Sequence, residues 1–201
     1  MEDLLLVVGL GNPGSEYVRT RHNVGFMAVE QCGSRHGARW TEESRFRARL
    51  ARVELAERRL LLCEPVTFMN SSGAAVRSVA DYFKIERSRM LIVLDDADLP
   101  CGAQRMRPSG GTGGHHGLES IEQMLGSAEY ARLRIGIGRA DGKREISGHV
   151  LGEFESSERA VLETVLDRVV AQIECWATSG VQKAMNEFNG GAEAAGAKEA
   201  E

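Results

Sequence analysis

The chain has 201 residues, 42% of them hydrophobic and 27% charged, enough to bury one core without disulfides or a structural metal. That balance excludes a disordered, collagenous or coiled-coil chain, and the longest apolar run, Leu4 to Val8, is far too short to span a membrane. A net charge of -4, from 25 basic and 29 acidic residues, excludes a chain that attracts polyanions by overall charge alone.

Leu4-Leu5-Leu6-Val7-Val8 reads as a buried first strand, followed by a glycine-rich turn from Gly9 to Gly14. Val24 to Arg35 has a helical mix of apolar residues, with Asn23 placed to cap it. Phe46, Ala48 and Leu50 alternate with arginines as a half-exposed strand does, and Arg59 to Cys63 reads as its hairpin partner across Glu57-Arg58. A helix is predicted from about Ser71 to Ile85, and Met90 to Leu94 is a second buried strand that ends in Asp95-Asp96. Gly110 to Gly117 is a loop, Leu118 to Leu125 a short helix and Leu133 to Ile137 another strand. A long helix follows Ser156-Ser157, marked by Val161, Leu162, Val165, Leu166, Val169, Val170 and Ile173. Beyond Gly190 the composition cannot bury anything, so a domain over 1–189 with a disordered acidic tail over 190–201 is expected. The alternation predicts an α/β fold in a single domain: a mixed, mostly parallel central sheet with helices on both faces.

Four dispersed cysteines, Cys32, Cys63, Cys101 and Cys175, fit reduced thiols, and with an acidic N-terminus in place of a basic signal region the expected location is cytoplasmic. Charge is uneven. Eight arginines lie between Arg35 and Arg59, and seven cations between Arg105 and Arg144, against four acids in each stretch. They read either as phosphate ligands or as solvated strand faces.

Gly9-x-Gly11-x-x-Gly14 after a strand matches a dinucleotide turn, but Asn12-Pro13 and the polar residues Ser15 to Arg21 do not open a helix. Glycines that allow a close turn are the better reading. Thr20-Arg21-His22-Asn23 leaves the carboxyl end of the first strand, where open α/β sheets bind ligands. His36 and His149 have no such setting and default to the surface. Asp95-Asp96-x-Asp98 ends the second buried strand and either collects a divalent cation or orients a histidine, with metal the weaker reading because no phosphate-binding loop accompanies it. A histidine and an aspartate delivered from two strand ends make a general-base pair. Asn70 either caps a helix or offers its amide to a carbonyl or oxyanion, as Asn12 does. In Gly110 to Gly117 the pair His115-His116 hints at metal, but no third ligand is evident and the glycines favour a lid or docking loop. No nucleophile elbow occurs, which leaves hydrolysis by activated water.

Taken together, VVGLGNPGSEYVRTRHNVG, PVTFMNSSG, VLDDADLPCG, GGTGGHHG and RLRIGIG closely resemble the bacterial peptidyl-tRNA hydrolase family, in its order and spacing from about Leu4 to Phe188. The resemblance implies a monomeric α/β enzyme that cleaves the ester between a peptide and the terminal ribose of tRNA, without metal or cofactor. It implies His22 as general base, Asp95 as the carboxylate that poises it, and Asn12 as the residue that helps tell blocked from free aminoacyl groups. Tyr17, Phe68 and Asn70 match substrate-contacting positions, Met69 a wall of the site, and Arg107 and Arg134 a clamp for the tRNA 5′-phosphate. The chain departs from the family at one of these positions. Where the family has GGHNG this chain has His116 in place of the substrate-binding asparagine, which exchanges a paired donor and acceptor for a titratable ring. Two rival readings are a non-catalytic RNA-binding protein on the same scaffold and a dinucleotide-binding oxidoreductase.

Overall fold

A computed structural model describes residues 4–56, 58–139 and 146–189; the expected acidic tail lies outside them. Its strands are β1 (Leu4–Gly9), β2 (Thr41–Glu43), β3 (Ala48–Leu55), β4 (Arg58–Pro65), β5 (Met90–Asp96), β6 (Gln104–Arg107) and β7 (Ala131–Gly136). They form one sheet in the order β2-β3-β4-β1-β5-β7-β6. The central four, β4-β1-β5-β7, are parallel, while β2-β3, β3-β4 and β6-β7 are antiparallel, so the sheet is mixed with a parallel centre.

Helices cover both faces: α1 (Val24–Arg35), α2 (Ser72–Phe83), α3 (His116–Leu125), α4 (Ile146–Val150), α5 (Ser156–Ser179) and α6 (Val181–Phe188). Alternate residues of the central strands feed two cores. Val7, Leu62, Leu91 and Val93 pack with Val29, Val169, Ile173 and Trp176 of α1 and α5. Leu6, Val8, Leu61, Ile92 and Leu94 pack with Val76, Val79, Leu118 and Ile121 of α2 and α3. Strands buried on both faces read as unbroken apolar runs, which is why β1 and β5 were visible without alternation. Each such side chain contributes about 1.5–3 kcal/mol on burial.

The glycines after β1 serve packing. A Cβ on Gly9 would stand 2.3 Å from the Gly25 carbonyl oxygen, and one on Gly25 would stand 2.4 Å from that of Val93, so α1 lies directly against β1 and β5. Because α1 opens only at Val24, well past Gly14, the motif does not run into a helix as a dinucleotide turn does, and the dinucleotide reading falls.

Several local expectations are corrected. Asn23 sits at the N-cap position of α1 but makes no capping bond. Arg58, expected in the β3–β4 turn, already belongs to β4, and Ala56, directly after β3, has a positive φ of 45°; Glu57 lies outside the described residues. Glu155, in a reciprocal capping box with Glu158, starts α5 in place of the serines. His36 and His149 are half-buried and partnered, by Glu174 at 2.9 Å and by the Ile137 carbonyl at 3.1 Å. The short elements β2, β6, α4 and α6 carried too little periodicity to be read. The free edge at β6 is closed by Asn189, whose side chain accepts from Met106 N at 2.8 Å and donates to Met106 O at 2.9 Å. Among the described residues no helix is long and apolar enough to cross a membrane.

Candidate active site

Beyond the carboxyl ends of β1 and β5 opens a cleft of about 750 Å³. It is lined by Asn12, His22, Phe68, Met69, Asn70, Asp95, His116 and Arg134, eight of the ten residues the sequence had singled out. Tyr17 and Arg107 are not among the lining residues. Tyr17 shapes the approach instead, its carbonyl accepting from both the backbone N–H and the hydroxyl of Thr20, at 2.9 and 2.8 Å. Arg107 stands exposed on β6.

Asn12 is held by a clamp that the sequence did not reveal. Its backbone N–H donates to Asn23 Oδ1 at 2.9 Å, and its carbonyl accepts from Asn23 Nδ2 at 2.9 Å. This is where the expected cap of α1 has gone. The side-chain Oδ1 of Asn12 accepts from Met69 N at 2.8 Å, so the amide group remaining to it is a donor. Asn70 lies in a 3₁₀ turn, Met69–Ser71, and Ser71 takes the position ahead of α2, so the capping alternative for Asn70 falls and the residue lines the cleft.

His22 lies in a second 3₁₀ turn, Arg21–Asn23, whose neighbour Arg21 is anchored to the start of α5. Its guanidinium donates to the Glu153 carbonyl at 2.8 Å and to Glu158 Oε2 at 2.6 Å. From this turn His22 Nδ1 reaches Asp95 Oδ1 at 2.8 Å. The surprise is His115: its Nε2 lies 3.0 Å from the same oxygen, and the two imidazoles are tilted with centroids 5.2 Å apart. The pair His115-His116 is thus split, with only His115 joining His22 at Asp95.

The hydrogen bonds assign the protons. His115 Nδ1 accepts from the backbone N–H groups of Gly117 and Leu118, at 3.1 and 3.4 Å, as the N-cap of α3. An imidazole that accepts at Nδ1 carries its proton on Nε2, so His115 donates to Asp95. Asp95 is 4% exposed. Burial alone would raise its carboxyl, but the hydrogen bonds and charges of His115 and His22 outweigh it and hold Asp95 well below the usual carboxylate range. An ionised Asp95 requires a donor at His22 Nδ1 as well, which leaves His22 Nε2 as a proton acceptor.

Three donor atoms of His22, Asp95 and His115 lie within 4.8 Å of one another, close enough to bracket a cation. The fit is poor. To bind metal through Nε2, His115 would have to move its proton to Nδ1 and give up both amides at the start of α3. The other carboxylates disperse too. Asp96 accepts from Arg134 at 3.2 Å and from Asp98 N at 2.8 Å, while Asp98 pairs with Arg139 at 2.6 Å.

On β6 and β7 the register sets Arg105 across from Arg134 and Arg107 across from Arg132, so four arginines share one face of this sheet edge. Arg132 and Arg134 both donate to the Gly111 carbonyl, at 3.1 and 2.8 Å, and tie the glycine-rich loop to the sheet. At the cleft rim the His116 side chain is 73% exposed and its Nδ1 lies 3.0 Å from Glu119 Oε2.

The model of the peptidyl-tRNA hydrolase family matches residues 6–197. Among curated relatives, the peptidyl-tRNA hydrolase of Syntrophomonas wolfei is 47% identical over 92% of this chain and 99% of its own length. That of Synechococcus strain JA-3-3Ab is 48% identical over 92% of this chain and 83% of its own. Among solved structures, the peptidyl-tRNA hydrolase of Acinetobacter baumannii superposes with a TM-score of 0.88 at 36% identity, covering 94% of this chain and 96% of that one. The chain therefore belongs to the peptidyl-tRNA hydrolase family, whose members are hydrolases.

Proposed function

We propose that this chain cleaves the ester between a peptide and the terminal ribose of tRNA by attack of a water molecule activated at His22, with Asp95 poising the ring and no metal taking part. The observation that carries this reading is the shared carboxylate. Both histidines reach Asp95 Oδ1, but only His115 spends its second nitrogen on the backbone, so His22 keeps a basic nitrogen. His22 Nε2 takes a proton from water as the oxygen attacks the acyl carbon, and returns it to the ribose oxygen as the tetrahedral intermediate collapses. The resulting imidazolium is offset by the ionised Asp95.

Asn12, anchored through its backbone and its Oδ1, and Asn70, one residue beyond the Met69 N–H that Asn12 holds, direct amide donors at the carbonyl or the developing oxyanion. Phe68, which is 61% exposed, and Met69 flank the acyl group, and His116 takes the rim position. Tyr17 supports the turn that carries His22. Arg107 and Arg134 hold the tRNA 5′-phosphate, with Arg134 exchanging its internal acceptors for phosphate oxygens. The protein acts on the acceptor end of peptidyl-tRNA as a cytoplasmic monomer, with a catalytic domain over 1–189, and returns tRNA from aborted translation.

The test is release of N-acetylated amino acid from N-acetyl-aminoacyl-tRNA. His22→Ala is expected to fold as the parent does by circular dichroism and to lose about 10²- to 10⁴-fold in turnover. Parental release by this variant overturns the mechanism, and tight tRNA binding by the parent without release favours the RNA-binding reading.

A further inference from the structure

A second crevice, of about 280 Å³, opens between the loop after β1, the first turns of α1 and the ends of β3 and β4. It shares only Asn12 with the catalytic cleft. One side is apolar, formed by Val18, Phe26, Met27 and Val66. At its back stands Glu64, fully buried, whose Oε2 accepts from Arg49 at 2.8 Å and whose Oε1 has no hydrogen-bond partner among the described residues. The same Arg49 nitrogen reaches Glu30 Oε1 of α1 at 3.1 Å, and the guanidinium lies over the Trp40 ring.

One guanidinium between two carboxylates leaves this corner a positive charge short whenever both acids ionise. Glu64 responds by holding its proton. Burial first, and then the charge of Glu30, push it up to about 8, while Arg49 pulls the other way. Its strand neighbour Cys63 supplies no charge, because burial and Glu64 keep that thiol protonated. An acid so placed costs little only while neutral, and a cation that reaches it recovers that cost.

We propose that this crevice is a binding site for a small organic cation, a primary ammonium on a short apolar stem. The head donates to the unpartnered oxygen of Glu64, and its charge completes the set that Arg49 leaves incomplete. The stem packs against Val18, Phe26 and Met27, and a cavity this small admits a stem of only a few carbons.

The probe is n-butylammonium chloride, titrated into the full chain by calorimetry at pH 6 and pH 9 at constant ionic strength, with n-butanol as the neutral ligand of the same shape. An alkylammonium stays charged at pH 9, whereas the ionised fraction of Glu64 climbs between the two values, so binding is expected to be about 10²-fold tighter at pH 9. Glu64→Gln keeps an acceptor for Arg49 and is expected to abolish that pH dependence and to weaken binding at pH 9 by about tenfold or more. Glu30→Gln, on the exposed side of α1, is the second variant and is expected to weaken binding by a smaller factor. The proposal is overturned by no saturable binding at pH 9, by equal binding of butanol, or by affinity unchanged in Glu64→Gln. Affinity that falls as pH rises also overturns it, since that marks a neutral acceptor bound to protonated Glu64. None of these outcomes depends on the hydrolytic reading of the neighbouring cleft.

Discussion

Asp95 in β5 and Glu64 in β4 stand on the two strands that flank β1, and both are buried, yet their carboxyls are driven to opposite sides of the ordinary range. Burial raises both. Asp95 meets two imidazole N–H donors aimed at one oxygen, and these outweigh desolvation. Glu64 meets a single guanidinium that it shares with Glu30, whose own charge opposes ionisation. The number of donors and the sign of the nearest charges decide which buried acid is ready to stabilise an imidazolium and which stays protonated at neutral pH.

Breaking the Asp95 side is expected to have the largest effect. Asp95→Asn keeps an oxygen that accepts from both imidazoles but removes the negative charge that offsets the imidazolium formed at His22, so turnover should drop about 10²-fold or more. Steady-state release of N-acetyl-aminoacyl-tRNA measures it, and unchanged turnover from pH 6 to 9 would make Asp95 merely structural. Since Asp95 is depressed in the fold, its contribution to stability stands above its unfolded value, near 3.9, and is lost only as pH falls into strong acid.

Glu64 has the opposite linkage. The folded chain keeps this proton to about pH 8 while the unfolded chain releases it near 4.3, so stability should fall as pH rises through that window and level off above it. The limiting slope is about 1.4 kcal/mol per pH unit, read by urea unfolding between pH 5 and 9. Glu64→Gln should lose this slope; parallel curves for parent and variant would contradict the comparison.

His115→Ala removes one donor from Asp95 and the cap of α3. The cap should cost about 1 kcal/mol of stability in denaturant titrations, and loss of the charged hydrogen bond should slow release roughly tenfold. Activity equal to the parent would mean that His22 alone suffices to hold Asp95 ionised. The smallest effect is expected from Glu30→Gln. Relief from one exposed like charge should lower the Glu64 titration by about half a pH unit, seen in carboxyl carbon NMR. A shift upward would reverse the sign assigned to Glu30.

The meeting of His22 and Asp95 was legible because His22 follows, and Asp95 ends, a strand buried on both faces, and such strands lie side by side at the centre of an α/β sheet with their carboxyl ends together. Asn12, Phe68, Met69, Asn70 and Arg134 were legible through motifs shared with a known family, and the cleft collects them. His115 was not. Its place just ahead of Leu118, at the start of a short apolar helix, was a cap signal, but a histidine is a poor cap by type and its other nitrogen finds a purpose only where β5 delivers Asp95. The four-arginine face was hidden because β6 is four residues long and its register with β7 is set by contacts distant in sequence.

Apolar runs and helical periods, local properties of the chain, were sufficient to determine the fold class, the long elements and the strand ends where chemistry sits, because burying those runs admits few arrangements. Tertiary structure alone decided the partners of polar side chains. Asn23 holds Asn12 instead of capping α1, His115 turns to Asp95 while His116 turns to the surface, and Glu64 is left with an orphaned oxygen. A polar group takes whichever donor or acceptor the packed chain brings within about 3 Å, and that neighbour is seldom near it in sequence.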